Sequence, residues 1–252
     1  MLVVGHRGAP SRAPENTLAS FEAAIAIGVD AIELDVHLSR DGHLVVIHDQ
    51  NLARTTNGQG LVHEHTLAEL RALDAGSWFG PSFAGERIPT FEEVLTGIGR
   101  RVPLQVEIKG KTEGVVEATV AALSVHRLLD TSMITSFQLD CLPRVRALAP
   151  RVQIGALVWG RSRDSERRPM TPAACVAATR AAQADVMLLW HECVDQAMIT
   201  AARAANLPVG AAGGTATEAD LRRLLALGVV RVTTNFPDVC RAVVRGAGAG
   251  PS

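Results

Sequence analysis

The chain has 252 residues, a formal net charge of −1 and 47% hydrophobic residues. This length and apolar content suffice for one substantial core and are ordinary for a single α/β barrel. The near-zero charge gives no overall attraction for nucleic acid or an acidic membrane, and the absence of tyrosine argues against a base-stacking surface for single-stranded nucleic acid.

The start of the chain runs directly into a strand-like segment, without the longer apolar stretch and cleavage site of a secretory signal. No apolar stretch reaches the length of a membrane span. The four cysteines are widely spaced and form no C-x-x-C pair, which is typical of reduced, buried thiols. We therefore expect a cytoplasmic protein without membrane insertion, acting as a monomer or homodimer.

Short β-branched runs alternate with Ala/Leu/Arg-rich segments of helical period, which predicts βα units around a parallel sheet. The predicted strands are Leu2–Gly5, Ala31–Val36, Leu44–Ile47, Leu104–Ile108, Met133–Ser136, Ile154–Val158, Val186–Leu189, Leu207–Gly210 and Val230–Thr233. The pattern predicts a (β/α)8 TIM-type barrel plus one extra strand, which it does not identify. The Asp41-Gly42 pair marks a tight turn, too short for a crossover helix.

Helical periodicity predicts helices that often begin at a capping residue. They are Thr17–Ile27, Thr66–Leu73, Phe91–Ile98, Val115–Val125, Leu142–Ala149, Pro172–Gln183, Asp195–Ala205 and Ala216–Leu227. Residues 50–90 are long for a βα connection and predict an insertion at one mouth of the barrel. We expect one domain over 1–245 and a flexible tail over 246–252, with the arginines between 161 and 168 in a solvated loop.

Polar residues interrupt two of the apolar strands. In Ala-Ile-Glu-Leu-Asp-Val, Glu33 and Asp35 share one face of the strand and apolar residues occupy the other. Because the apolar face suits packing against helices, both carboxylates are predicted to enter the barrel lumen. A later strand repeats the pattern with Glu107 and Lys109 on one face. Carboxylates buried together repel, which implies a positive charge between them.

The carboxylates, histidines and cations fall towards the carboxyl ends of strands, where catalytic groups of α/β barrels gather. Oxygen ligation by Glu33, Asp35 and Glu107 favours one hard divalent cation, Mg²⁺ or Ca²⁺, with Mn²⁺ as a further option, over zinc. Such a cation, together with nearby Arg and Lys side chains, suits the cleavage of a phosphodiester.

Two histidines end predicted strands, His6 before Arg7 and His48 before Asp49. Histidine titrates near neutrality, so these two can serve as acid and base. Arg7 and Lys109 add positive charge suited to phosphate oxygens. The remaining histidines are interpreted as structural: His37, His43, His63, His65, His126 and His191.

Seven motifs then stand in one order along the chain. They are Gly5-His6-Arg7-Gly8, Pro14-Glu15-Asn16-Thr17, Glu33-Leu34-Asp35-Val36, His48-Asp49, Arg54-Thr55-Thr56-Asn57-Gly58, Glu107-Ile108-Lys109 and Ser136-Phe137. This series closely resembles the glycerophosphodiester phosphodiesterase family in its shorter bacterial cytoplasmic form. The match is dense from residue 3 to about 137 and looser afterwards.

The resemblance implies a phospholipase-C-like barrel. Its acid/base pair would be His6 and His48, and its metal ligands would be Glu33, Asp35 and Glu107. Its two phosphate-binding cations would be Arg7 and Lys109. Asn16 and Ser136 lie in family motifs without an assigned role. The stretch 57–89 is similar to the family's inserted segment that caps the glycerol side of the site.

The implied reaction is metal-dependent hydrolysis of a small-molecule glycerophosphodiester, such as glycerophosphocholine or glycerophosphoethanolamine. The products are glycerol 3-phosphate and an alcohol, formed through a cyclic phosphate. Two alternatives stay open. One is a lysophospholipase D-type phosphodiesterase acting on lysolipids, and the other is a non-catalytic barrel that binds phosphorylated polyols.

Two stretches depart from the family pattern. Where members usually carry Trp-Thr-Val-Asn near position 210, the chain reads Pro-Val-Gly-Ala-Ala-Gly-Gly, and the usual Thr-Asp near the last strand reads Thr234-Asn235. The glycine-rich substitute predicts a wider, less apolar wall, which Trp190 or Trp78 could partly fill. These changes bear on the preference for glycerol-type alcohols.

Overall fold

One nine-stranded sheet forms the centre of the molecule, within the residues that this computed structural model describes, 1–110, 112–158, 170–214 and 217–248. The strands are β1 (Leu2–Gly5), β2 (Ala31–Leu38), β3 (Leu44–Val46), β4 (Leu104–Ile108), β5 (Met133–Ser136), β6 (Gln153–Val158), β7 (Val186–Trp190), β8 (Val209–Ala212) and β9 (Arg231–Thr234).

Eight of these strands close into a parallel barrel. Neighbours run β1-β2-β4-β5-β6-β7-β8-β9, and the ring closes because β1 pairs with both β2 and β9. In register, Val4 lies opposite Ala31 on one side and Thr233 on the other. The predicted (β/α)8 TIM-type fold is therefore confirmed.

The extra strand is β3, which pairs antiparallel with β2 outside the barrel. A tight turn at Asp41-Gly42 reverses the chain, since Gly42 has φ 80° and its N–H donates to the Ser39 carbonyl. The hairpin thus returns the chain to the end of β2 at which the barrel opens, and His48 follows two residues after β3.

The helices lie where the periodicity predicts them, with small shifts at their ends, and one further helix closes the chain. They are α1 (Leu18–Ile27), α2 (Leu67–Arg71), α3 (Phe91–Gly97), α4 (Val115–Val125), α5 (Leu142–Leu148), α6 (Pro172–Ala181), α7 (Gln196–Ala204), α8 (Glu218–Ala226) and α9 (Pro237–Gly248). Threonine side chains cap several of them, as Thr90 does for α3. Among the described residues, no helix has the length and apolar character needed to cross a bilayer.

Two predictions on the second half of the chain need correction. The strand predicted at Leu207–Gly210 starts at Val209, because the Leu207 N–H still bonds to the Ala202 carbonyl at the end of α7. Helix α9 was not predicted, although buried Cys240 and Val243 stand at helical spacing. It includes residues 246–248 of the predicted tail; residues 249–252 and the arginines at 161–168 lie outside the described part of the chain.

Alternation along the strands divides the apolar residues between two clusters. Ile32, Leu34 and Val36 of β2 belong to the main core between the barrel and its helices. Lumen-facing residues of other strands form a separate small cluster that contains Met133, Leu157, Val186 and Leu188. The barrel interior therefore holds a small apolar cluster, and β2 and β4 add carboxylates to it.

The predicted insertion, residues 50–90, holds α2 and three short 3₁₀ turns at Leu52–Arg54, Val62–Glu64 and Pro81–Phe83. It packs on its own apolar cluster, whose members are Val45, Ile47, Leu52, Val62, Leu70, Ala75 and Ile88. Because this cluster includes Val45 of β3 and the nearby Ile47, the hairpin anchors the insertion beside the mouth of the barrel. Arg54 reaches the candidate site from this segment.

Candidate active site

A cavity of about 420 Å³ opens at the carboxyl ends of the barrel strands. Six of the seven predicted site residues line it: His6, Arg7, Glu33, His48, Glu107 and Lys109. The seventh, Asp35, is fully buried against Arg7 and Lys109. Parallel strands bring these residues together because all their carboxyl ends meet at one mouth of the barrel.

The three acidic residues form a buried cluster. One carboxylate oxygen from each of Glu33, Asp35 and Glu107 lies within 4.8 Å of the others, and the residues are 2%, 0% and 6% exposed. Two cations border them. Lys109 Nζ lies 2.7 Å from Glu107 Oε1 and 3.4 Å from Asp35 Oδ1, and Arg7 Nε lies 3.5 Å from Asp35 Oδ2.

Charge in this cluster is only partly compensated. Burial opposes ionisation of Asp35, but Lys109 and Arg7 outweigh it and lower the pKa of that carboxyl. Burial and the neighbouring carboxylates raise the pKa of Glu33 well above its usual value. Burial also raises the pKa of Glu107 to about 7, against the opposing charge of Lys109.

The donor set fits a divalent cation. Glu33 Oε1 is buried and has no hydrogen-bond partner among the described residues, although an unpaired buried carboxylate oxygen is costly. The three converging side chains offer only oxygen atoms, which hard cations such as Mg²⁺ and Ca²⁺ prefer. A cation held by these carboxylates would favour the ionised forms of Glu33 and Glu107, which burial disfavours.

A strained turn after β1 presents His6 and Arg7. Arg7 has φ 54° and its backbone N–H donates to Glu33 Oε2 at 2.9 Å. The next residue is Gly8, with φ 93°, where a Cβ atom would lie 2.4 Å from Ser20 Oγ of α1. The turn therefore requires glycine, and it ties the start of the chain to the carboxylate cluster.

His6 is held by an amide. Its Nδ1 lies 2.5 Å from Asn235 Oδ1, just after β9, and its Nε2 lies 4.0 Å from Glu33 Oε2. Because the amide oxygen can only accept, Nδ1 carries the proton and Nε2 is left as the acceptor. Burial, aided by the Arg7 charge, lowers the pKa of His6 to about 4.

His48 is held by a carboxylate instead. Its Nδ1 lies 2.5 Å from Asp49 Oδ1, and the Arg54 Nε donates to the other oxygen of Asp49. Burial lowers the pKa of His48 against the opposing charge of Asp35. The backbone is fixed as well, since His37 Nε2 lies 3.1 Å from the His48 carbonyl oxygen.

Charged groups link the two histidine regions. Arg54 Nη1 and Nη2 lie 3.0 and 2.7 Å from the two oxygens of Glu15, and Arg7 Nη1 lies 2.6 Å from Glu15 Oε1. A continuous path therefore runs from His48 through Asp49, Arg54 and Glu15 to Arg7. Bidentate guanidinium–carboxylate contacts of this kind fix geometry as well as charge.

A sequence model of the glycerophosphoryl diester phosphodiesterase family matches residues 6–239 of the chain. The chain belongs to this family. A curated *Bacillus subtilis* glycerophosphodiester phosphodiesterase is 36% identical over 263 aligned positions, which cover 98% of this chain and 87% of the relative. One from Caldanaerobacter subterraneus subsp. tengcongensis is 46% identical over 62% of this chain and 66% of the relative. A further relative, from Bacillus subtilis, is 45% identical over 60% of this chain and 63% of its own length.

Solved structures agree with the family assignment. An *Oleispira antarctica* phosphodiesterase, whose structure contains the product sn-glycerol-3-phosphate, superposes with a TM-score of 0.86 at 30% identity, over 97% of both chains. A glycerophosphodiester phosphodiesterase from *Agrobacterium tumefaciens* superposes with a TM-score of 0.80 at 28% identity, over 96% of this chain and 99% of the other. The family resemblance inferred from the seven motifs is confirmed.

The glycine-rich stretch of this family member makes room for two side chains. A Cβ on Gly213 would lie 2.9 Å from the Trp190 ring, and one on Gly214 would lie 2.2 Å from Asn235 Cγ. Trp190 lines the cavity, whereas Trp78 stays within the insertion and donates to the Ala75 carbonyl. Of the two tryptophans considered from the sequence, Trp190 is the one that fills the expected gap.

Sequence reasoning left several residues of this phosphodiesterase-family site without a role. Glu15, Asp49 and Arg54 stand in quoted motifs, and the adjacency of Asp49 to His48 was a signal for its contact. His37 was interpreted as structural, and its Nε2 lies 3.1 Å from the His48 carbonyl oxygen. Asn16 donates to Asp35 Oδ2 at 2.8 Å, so it supports the acidic cluster.

The hydroxyl of Ser136 in this family member bonds to backbone groups of neighbouring residues. Its hydroxyl donates to the Ile108 carbonyl at 2.8 Å and accepts from the Gln138 N–H at 3.0 Å. Gln138 in turn donates to the Lys109 carbonyl at 2.6 Å. Ser136 thus shapes the backbone that carries Lys109.

Proposed function

We propose that this chain is a metal-dependent glycerophosphodiester phosphodiesterase. It hydrolyses glycerophosphodiesters such as glycerophosphocholine to glycerol 3-phosphate and an alcohol. The observation that carries the proposal is the cluster of Glu33, Asp35 and Glu107 within 4.8 Å, with two histidines on the same cavity. Family membership and the sn-glycerol-3-phosphate in the *Oleispira* relative support it.

The three carboxylates would hold one divalent cation, Mg²⁺ or Ca²⁺. When bound, such an ion withdraws electron density from the phosphate oxygens and stabilises charge that develops on them. Lys109 and Arg7 add fixed positive charge beside the same cluster. The phosphate group therefore meets cationic groups in a cavity whose walls exclude much of the solvent.

The surroundings of the two histidines support different roles for them. Burial and the Arg7 charge keep His6 neutral, and the Asn235 amide holds the ring proton on Nδ1, so Nε2 is free to accept a proton as a general base. The carboxylate of Asp49 stabilises a positively charged imidazole, which suits His48 as the general acid. The Asp49 contact opposes the lowering of the His48 pKa by burial, so it increases the protonated fraction of His48.

The first step proceeds within the substrate. His6 removes the proton from the glycerol 2-hydroxyl, and that oxygen forms a bond to the adjacent phosphorus. The bond from phosphorus to the alcohol breaks as His48 delivers a proton to the departing oxygen. This intramolecular attack gains from proximity and yields a cyclic phosphate.

The second step reverses the proton transfers. His48, now neutral, removes a proton from water, and the water oxygen attacks the cyclic phosphate. The bond to the glycerol 2-oxygen breaks and that oxygen recovers the proton held on His6. The products are glycerol 3-phosphate and regenerated His6 and His48, so protons and atoms balance over the cycle.

The experiment is a metal-dependence assay across several substrates. Purified protein, treated with a chelator and then supplied with Mg²⁺, Ca²⁺ or Mn²⁺, is tested on glycerophosphocholine, glycerophosphoethanolamine and lysophosphatidylcholine. We expect chelation to abolish hydrolysis of the two glycerophosphodiesters and added cation to restore it. Preferential hydrolysis of lysophosphatidylcholine would instead favour the lysophospholipase D alternative, and tight binding without turnover would favour a binding barrel.

Metal binding also predicts a stability effect that needs no substrate. A cation bound only by the folded protein raises the melting temperature by mass action. We expect added Mg²⁺ or Ca²⁺ to raise the melting temperature of the wild type, and Glu33→Gln to remove both this shift and the activity. Glu22→Gln is the matched control because Glu22 is exposed and pairs with Arg101 away from the cavity. An unchanged shift in Glu33→Gln would contradict the assigned ligand set.

A further inference from the structure

A buried arginine lies in the barrel lumen beneath the cavity. Arg231, the first residue of β9, is 8% exposed, and no carboxylate in the described part of the chain forms an ion pair with it. Its Nη1 lies 3.2 Å from Gln105 Oε1 and 2.7 Å from Met133 Sδ. A buried cation without a counter-charge costs free energy, so stability does not account for it.

The barrel makes specific room for this side chain. Gly210 of β8 lies opposite Arg231 in register, and a Cβ atom there would be 2.7 Å from Arg231 Cγ and 2.5 Å from Leu188 Cδ2. Any larger residue would displace the arginine stem from the lumen. The neighbouring strand is thus shaped to admit Arg231.

Arg231 fixes the orientation of a residue that lines the cavity. Gln105 is 2% exposed, lines the cavity and lies beside Glu33 in register. A guanidinium group can only donate, so the Gln105 carboxamide must turn its oxygen towards Arg231. The NH₂ group of Gln105 is then directed away from Arg231, as a hydrogen-bond donor at the cavity floor.

A second polar group reaches the same floor. Thr233 is 2% exposed, lines the cavity and follows Arg231 by two residues on the same face of β9. Its Oγ1 is buried and has no hydrogen-bond partner among the described residues. Valine has nearly the same shape as threonine and would avoid the cost of an unpaired buried hydroxyl. The Thr233 hydroxyl is therefore available to a ligand.

We propose that Gln105 and Thr233 form a subsite for the terminal hydroxyl of the substrate's glycerol group, and that Arg231 is the positioning residue for Gln105. The proposal rests on the proposed function, because the 2-hydroxyl serves as nucleophile and the terminal hydroxyl remains for recognition. The amide donates to the substrate oxygen, and the Thr233 hydroxyl accepts the substrate's proton. An acyl ester at this position has no proton to donate, so the subsite selects deacylated substrates over lysolipids.

The test compares glycerophosphocholine with its 1-deoxy analogue, which keeps the 2-hydroxyl but lacks the terminal one. For the wild type we expect kcat/KM to favour glycerophosphocholine by roughly tenfold or more, since the analogue leaves buried polar groups unpaired. Gln105→Leu, Thr233→Val and Arg231→Met should each lose most of this preference, chiefly through a higher KM for glycerophosphocholine. Comparing each variant with the wild type on both substrates isolates the contact between that side chain and the terminal hydroxyl.

Thr135→Val is the matched control. Thr135 is a fully buried threonine of β5 whose hydroxyl also has no partner among the described residues, but it is not among the residues that line the cavity. This variant should keep the wild-type preference. If Arg231→Met fails to fold, the other two variants decide. Equal slowing of both substrates in Gln105→Leu and Thr233→Val would refute the subsite, whereas a wild type that hydrolyses neither substrate would refute the proposed function.

Discussion

The two histidines of the site have hydrogen-bond partners of different charge, although the two hydrogen bonds are equally long. His6 Nδ1 lies 2.5 Å from the neutral amide of Asn235, and His48 Nδ1 lies 2.5 Å from the carboxylate of Asp49. Asn235 comes from the opposite end of the chain, whereas Asp49 is the next residue. Arg54 clamps Asp49, while Gly214 packs against Asn235.

This difference separates the protonation states that catalysis needs. A carboxylate partner favours the charged imidazole more strongly than the neutral oxygen of an amide does. If both partners were carboxylates, both histidines would tend to be protonated at the same pH. The different partners of His6 and His48 therefore favour one histidine as the base and the other as the acid. The following substitutions test this division, from the largest expected effect to the smallest.

Removal of either histidine should have the largest effect. We expect His6→Ala and His48→Ala each to lower kcat/KM for glycerophosphocholine roughly 10³-fold. With a p-nitrophenyl ester of glycerol phosphate the two should differ, because p-nitrophenolate leaves without a proton. His48→Ala should then release p-nitrophenolate in the first turnover at close to the wild-type rate, and His6→Ala should not.

His43→Ala serves as the control for these variants, since His43 is exposed and lies outside the cavity. Equal losses by both alanine variants on both substrates would contradict the division into base and acid. The reverse pattern, with recovery only in His6→Ala, would exchange the two roles.

Asp49→Asn should have the next largest effect. The neutral amide no longer stabilises the protonated form of His48, so we expect kcat for glycerophosphocholine to fall roughly 10²-fold. Release of p-nitrophenolate from the p-nitrophenyl ester in the first turnover should change little. Asp130→Asn is the control, because Asp130 is exposed and pairs with Arg151 at the surface. A similar loss on both substrates would show that Asp49 does not act through proton delivery.

Asn235→Asp should shift the pH dependence rather than abolish activity. In the wild type the pKa of His6 is about 4, so this base is neutral above that pH. A carboxylate in place of the amide favours the protonated form and raises the pKa, so the acidic limb of kcat/KM should move to higher pH by about one unit. The profile is measured at saturating cation, and a limb that stays in place or moves to lower pH would contradict the role of His6.

Arg54→Lys should have the smallest effect. Lysine keeps the charge but cannot contact Asp49 and both Glu15 oxygens as the planar guanidinium does. We expect kcat to fall about threefold to tenfold, with the preference between the two substrates shifted as in Asp49→Asn. Arg151→Lys at the exposed pair is the control. Unchanged kinetics would mean that the charged contacts from Arg7 through Glu15, Arg54 and Asp49 do not position Arg7 or His48.

The amino-acid sequence by itself determined the chemistry of the lumen. Alternation along β2 and β4 placed Glu33, Asp35 and Glu107 on one face and apolar residues on the other, and the structure gathers these carboxylates as predicted. The physical reason is that the two-residue period of a strand is local, so neighbouring residues reveal it. Adjacency likewise placed Asp49 beside His48.

Tertiary structure alone decided which distant residues complete the site. Asn235 reaches His6 across 229 positions of sequence, because pairing of β1 with β9 closes the barrel. The position of β3 outside the barrel and the contact of Arg231 with Gln105 across the lumen depend on the same closure. Such contacts follow from the curvature and register of the whole sheet, which no short segment of sequence encodes.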